Sequence, residues 1–163
     1  MREIELTIRF QAFDKLDELP DDDQLLLFRA KEATLKSRAP YSGFNVGCAI
    51  LLDNGEIVTA GNVENAAYPA CLCAERVALS AVSAQYPDAH PVRIAVTVNA
   101  HDEPVEDPVA PCGECRQTLL QYQKRAGHPI EVILRGETGR IYKLHSVIDL
   151  LPLPFYSEKT ESN

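Results

Sequence analysis

The chain has 163 residues, 45% apolar and 25% charged, which suits one globular domain able to bury its own core. A net charge of −8 argues against a nucleic-acid partner, because phosphate backbones are held by clustered Lys and Arg. No apolar run approaches the roughly 18 residues of a membrane-spanning helix.

Five Cys are present, an odd count. The N-terminus alternates charged and apolar side chains instead of presenting a leader, so a cytoplasmic location is expected. In that compartment thiols serve a metal or catalysis more readily than a disulfide frame.

In chain order, Ile4, Leu6, Ile8 and Phe10 alternate with Glu3, Glu5, Thr7 and Arg9, a period of two that predicts a half-buried strand. The acidic stretch from Asp14 to Asp23 reads as a solvated linker. Asp21 with Gln24 resembles a capping box and predicts a helix start after Pro20. Leu25, Phe28 and Leu35 would form its buried face, and Pro40 would stop it. Phe44 to Leu52 is nearly all apolar and predicts a strand buried on both faces. Asn54-Gly55 predicts a type I′ hairpin, with Ile57 to Ala60 returning antiparallel.

Ala74, Val77, Ala78, Ala81 and Val82 form a helical stripe. Val92, Ile94, Val96 and Val98 predict the next strand, and Cys112, Cys115, Leu119 and Tyr122 share a second helical face. Strands at Ile130 to Leu134 and Ile141 to Leu144 follow, joined through Gly136 and Gly139. From Asp21 onward the order is α-β-β-α-β-α-β-β. That order predicts an α/β domain with helices on the faces of a mixed sheet.

Cys71 and Cys73 form one thiol pair, and Cys112 and Cys115 form a second in a P-C-x-x-C run. Both pairs fall where a helix begins, and the positive end of a helix dipole favours thiolates. Soft thiolates select zinc. Spacing alone leaves two readings open. Four Cys could close a structural site that does no chemistry, or three could leave a fourth position for water. Glu75, two residues after Cys73, points to the second, as a proton carrier beside an activated water.

C-A-E-R at Cys73 to Arg76 with P-C-G-E-C-R-Q at Pro111 to Gln117 resembles the zinc-dependent cytidine deaminases. The likeness extends to P-Y-S-G-F-N-V-G at Pro40 to Gly47, N-V-E-N-A-A-Y-P at Asn62 to Pro69, and L-L-P-L-P-F at Leu150 to Phe155. It runs in order from about residue 22 to 156. It implies a three-layer α/β/α fold with a five-stranded mixed sheet. It also implies one zinc per chain on Cys73, Cys112 and Cys115, with Glu75 as the proton shuttle.

Asn62 and Glu64 would hold the ribose hydroxyls, Phe44 would pack on the base, and Tyr68 would lie beside the sugar. Phe155 would reach a neighbouring subunit's site, since the small members of the family are homotetramers with sites at subunit interfaces. Arg76 and Gln117 would act behind the ligands. Three thiolates on a divalent ion leave one net negative charge, which the helix ends and Arg76 would offset.

The chain departs from the pattern at Cys71, Asn45 and Ala67, none of which removes a group the chemistry needs. The expected organisation is an extension at 1–20, a deaminase domain at 21–156 and a polar tail at 157–163. The expected activity is hydrolytic deamination of cytidine and 2′-deoxycytidine in pyrimidine salvage. The substrate would be a free nucleoside, with no membrane or nucleic-acid partner.

Overall fold

The computed structural model describes residues 1–101 and 103–155. A mixed sheet forms from β1 (Phe10–Phe13), β2 (Phe44–Leu52), β3 (Ile57–Gly61), β4 (Pro91–Ala100), β5 (Glu131–Arg135) and β6 (Ile141–Leu144). Among the described residues three α-helices flank it, α1 (Asp21–Thr34), α2 (Ala74–Gln85) and α3 (Gly113–Ala126). The strand order is β1-β6-β5-β4-β2-β3. Only β4 and β5 run parallel, because α3 carries the chain between them; the other neighbours are antiparallel.

Alternation along the strands divides the core. Cys48, Ile50, Ile94, Val96, Val132 and Leu134 meet Ala78, Leu79 and Val82 of α2 and Leu119 and Leu120 of α3 on one face. Ala49, Ala95, Ile133 and Ile141 meet Leu26, Leu27 and Ala30 of α1 on the other. This is the expected three-layer α/β/α arrangement.

The sheet has six strands where five were expected. Phe10–Phe13 adds the sixth, pairing Phe10 with Leu144 and Phe13 with Ile141. The alternating residues Ile4, Leu6 and Ile8 lie outside any strand and are exposed. The cause is the length of β6. Beyond Leu144 the chain turns into a 3₁₀ segment at Val147–Leu150, capped by Ser146, so residues before Phe10 find no ladder partner.

Further corrections concern α1. Its N-cap is Pro20, no capping box forms, and the Gln24 side chain donates to Leu19 O at 2.8 Å instead. The helix ends at Thr34, well before Pro40. Leu25, Phe28 and Leu35 are exposed, while Asp23, Leu26, Leu27, Ala30, Ala33 and Thr34 are buried. Gly47 of β2 explains the choice of face: a Cβ there would lie 2.0 Å from Ala30 O. Backbone that close requires small residues on the helix face turned to the sheet.

The stretch from Asp14 to Asp23 is no solvated linker either, since Leu19 and Asp23 are buried. Asp23 is paired with Arg93 at 2.8 Å and Lys143 at 2.7 Å. The β2–β3 turn is not type I′. Asn54 keeps a negative φ, and Gly55 alone lies at φ +87°. The polar tail at 157–163 lies outside the described residues.

Candidate active site

The N-termini of α2 and α3 meet at one end of the sheet. Cys73 is the N-cap of α2 and Cys112 the N-cap of α3, and neither side chain spends itself on a capping bond. Cys115 follows one turn into α3 and is fully buried. Cys73 and Cys112 Sγ lie 3.8 Å apart, Cys112 and Cys115 Sγ 3.6 Å, and all three within 4.8 Å of one another. Tetrahedral zinc with Zn–S bonds of about 2.3 Å places its sulfurs about 3.8 Å apart. The thiols therefore fit a soft divalent ion before any ion arrives.

Cys71 is not part of this group. Its thiol accepts from Asn65 N at 3.2 Å and donates to Asn65 O at 3.6 Å, which holds the loop before α2. Among the described residues, a closed four-thiol site therefore lacks its fourth ligand.

Glu75, in the first turn of α2, is 4% exposed. Burial raises its carboxyl above the ordinary range, opposed by its own backbone N–H and the Cys115 thiol. A carboxyl raised in this way can both accept and give up a proton. The Cys115 thiol lowers Cys73 to about 7, against burial and the nearby Glu75, with help from Cys112 and Arg76. Cys115 is correspondingly raised by Cys73 and by burial. Cys48, buried in β2, is raised by burial and by the charge of Glu75, so it behaves as an inert packing group.

Arg76 pairs with Glu114 Oε2 at 2.7 Å, linking the two helix starts. Sequence reasoning missed Glu114, although it stands inside the P-C-G-E-C run. It also missed Arg116, which donates to Pro111 O at 2.7 Å and Leu150 O at 2.9 Å and ties the metal loop to the C-terminal turn. Gln117 donates to Phe155 O at 3.0 Å, and the Phe155 ring is exposed.

The remaining candidates come from the ends of β2 and β3. Asn62 Nδ2 donates to Phe44 O at 3.0 Å, and its Oδ1 accepts from Val46 N at 2.8 Å and from Ser37. Glu64 accepts from the Ser42 hydroxyl and from Tyr41 N at 2.8 Å. These contacts hold its carboxyl below the usual range, the Ser42 hydroxyl most of all. Tyr68 is exposed and meets the Tyr41 ring edge-on at 6.3 Å. The three thiols and Glu75 thus sit together, Asn62 bonds Phe44 directly while Ser42 links Phe44 to Glu64, and Tyr68 and Phe155 are exposed.

The family model for the cytidine and deoxycytidylate deaminase zinc-binding region matches residues 20–127. A cytidine deaminase of Halalkalibacterium halodurans is 34% identical over 137 residues, covering 84% of this chain and 96% of that protein. One from Sporosarcina psychrophila is 36% identical over 138 residues, with 84% and 93% covered. The crystal structure of cytidine deaminase from Burkholderia pseudomallei has a TM-score of 0.69 at 40% identity, covering 80% of this chain and 97% of that one. That from Mycobacterium tuberculosis has a TM-score of 0.66 at 28% identity, covering 85% and 100%.

Proposed function

Because the chain belongs to the cytidine and deoxycytidylate deaminase family, we propose that it hydrolyses cytidine, and 2′-deoxycytidine, to the uracil nucleoside and ammonia with the help of zinc. The observation that carries this reading is a buried Glu75 in the first turn of α2, whose N-cap Cys73 converges with Cys112 and Cys115 of α3. Cys73, Cys112 and Cys115 would hold one zinc per chain. When bound, zinc lowers the pKa of a coordinated water from about 15.7 to about 7.

Glu75 would take one proton from the attacking water and give it to the ring nitrogen next to the carbon under attack. It would then move the proton left on the new hydroxyl to the departing amino group, so that ammonia leaves and a carbonyl remains. The raised carboxyl of Glu75 suits both transfers. Arg76 and the two helix N-termini offset the excess negative charge of three thiolates.

Asn62 and Glu64 orient the ribose, Phe44 packs on the base and Tyr68 flanks the sugar, which holds the reacting carbon in place. Gln117 braces the C-terminal turn through Phe155 O. The exposed rings of Tyr68 and Phe155 support a homotetramer in which neighbouring subunits complete each site. Residues 21–156 would form the deaminase domain, with 1–20 an extension and 157–163 a tail, serving pyrimidine salvage in the cytoplasm. Among the described residues, no helix is long and apolar enough to cross a membrane.

The zinc-loaded protein should convert both nucleosides, followed by the ultraviolet change from cytosine to uracil. A chelator should abolish the conversion. Turnover that survives complete zinc removal, or failure on both nucleosides, would contradict the proposal.

A further inference from the structure

We propose that Ser42 is a positioning residue for nucleoside binding, which locks Glu64 and Phe44 into one arrangement through a single hydroxyl. The inference rests on the reading above, in which Glu64 and Phe44 contact the substrate. Ser42 itself belongs to the loop between α1 and β2, whereas Glu64 belongs to the loop after β3. The hydroxyl joins the two.

Hydrogen-bond directions around Ser42 Oγ are fixed by its neighbours. Phe44 N, 3.0 Å away, can only donate, so the hydroxyl oxygen accepts from it. The hydroxyl proton is then free for Glu64 Oε1. The other carboxylate oxygen, Oε2, accepts from Tyr41 N at 2.8 Å and Ser42 N at 3.3 Å. Both oxygens of Glu64 are held from one side by one loop.

A carboxylate offers about four acceptor positions, and with two used on Oε2 and one on Oε1, Oε1 keeps room for a sugar hydroxyl. The backbone of Glu64 is pinned as well, its N–H donating to Arg38 O at 2.8 Å while Arg38 N donates to Asn62 O at 2.8 Å. The side chain is the part left to be aimed, and Ser42 aims it. Gly43 allows the tight loop, with φ +65° and His101 packed behind it.

A bond that only orients a binding group acts on affinity more than on the chemical step. Ser42→Ala should raise KM for cytidine about three- to tenfold and leave kcat within about twofold. Ser42→Thr, which keeps the hydroxyl, should restore KM. In a Glu64→Ala background the Ser42→Ala change should add less than it does alone, because one of its two partners is already gone.

If Glu64→Ala raises KM while Ser42→Ala does not, the positioning role fails and the proposed function stands. Full additivity of the two changes, or failure of Ser42→Thr to restore KM, would also overturn it. An unchanged KM in Glu64→Ala would instead overturn the assignment of Glu64 to the sugar, and the inference with it.

Discussion

Cys71 and Cys73 are two residues apart, yet only Cys73 reaches the thiol cluster. The difference is local. Cys73 is the N-cap of α2, so its side chain sits at the positive end of the helix, whereas Cys71 spends its thiol on both backbone groups of Asn65. Cys71→Ser should therefore retain zinc at the wild-type ratio, because a hydroxyl can make the same two bonds. Cys112→Ser should lose most of it. Metal analysis after gel filtration measures both, and zinc lost from Cys71→Ser would mean a closed four-ligand site.

At this scale the sequence was legible where chemistry restricts the residue type. Thiols and a carboxylate at helix starts announce themselves. Ser42 and Glu114 did not, because an exposed serine or glutamate carries no signal until its partner is placed in space.

Helix α1 carries a buried charge that its sequence disguises. Asp23 stands in an acidic run but faces inward, where Arg93 and Lys143 meet it and Glu131 completes the set. Removing Asp23 leaves two largely buried cations to share the single carboxylate of Glu131. Asp23→Ala should cost about 3 kcal/mol of stability, read from denaturant unfolding, the low end expected for breaking a buried pair. A loss below about 1 kcal/mol would mean that solvent reaches the cluster.

Glu131 adds a pH dependence. Burial pushes its carboxyl up, but Arg93 and Lys143 together outweigh that and hold it below the usual range. Its stabilisation is thus present above about pH 4.3 and lost as the pH falls through the lowered value. The stability gap between wild type and Glu131→Gln should be wide at neutral pH and close in acid. A gap constant across that range would contradict the pairing. Periodicity located α1 but chose the wrong face, because large apolar residues outscored the small ones that Gly47 demands.

Across the whole molecule, hydrophobic period and turn residues made the order of elements from α1 to β6 readable in advance. Strands buried on both faces and amphipathic helices leave unmistakable patterns. The N-terminal strand was readable in kind but not in place: alternation set it at Ile4 to Phe10, whereas β1 runs Phe10–Phe13 because the short β6 offers no partner before Phe10. The sheet brings α2 and α3 start to start, and from that come the thiol cluster and the buried carboxyl between them. We propose that this carboxyl moves the protons of a zinc-dependent deamination.

The direct test is ammonia released from cytidine by the wild type and by Glu75→Gln, each at the same measured zinc content. Wild type should release one ammonia per uridine formed, and Glu75→Gln should be slower by about 10²–10⁴-fold. Equal rates at equal zinc, or a zinc-loaded wild type that releases no ammonia, would contradict the account.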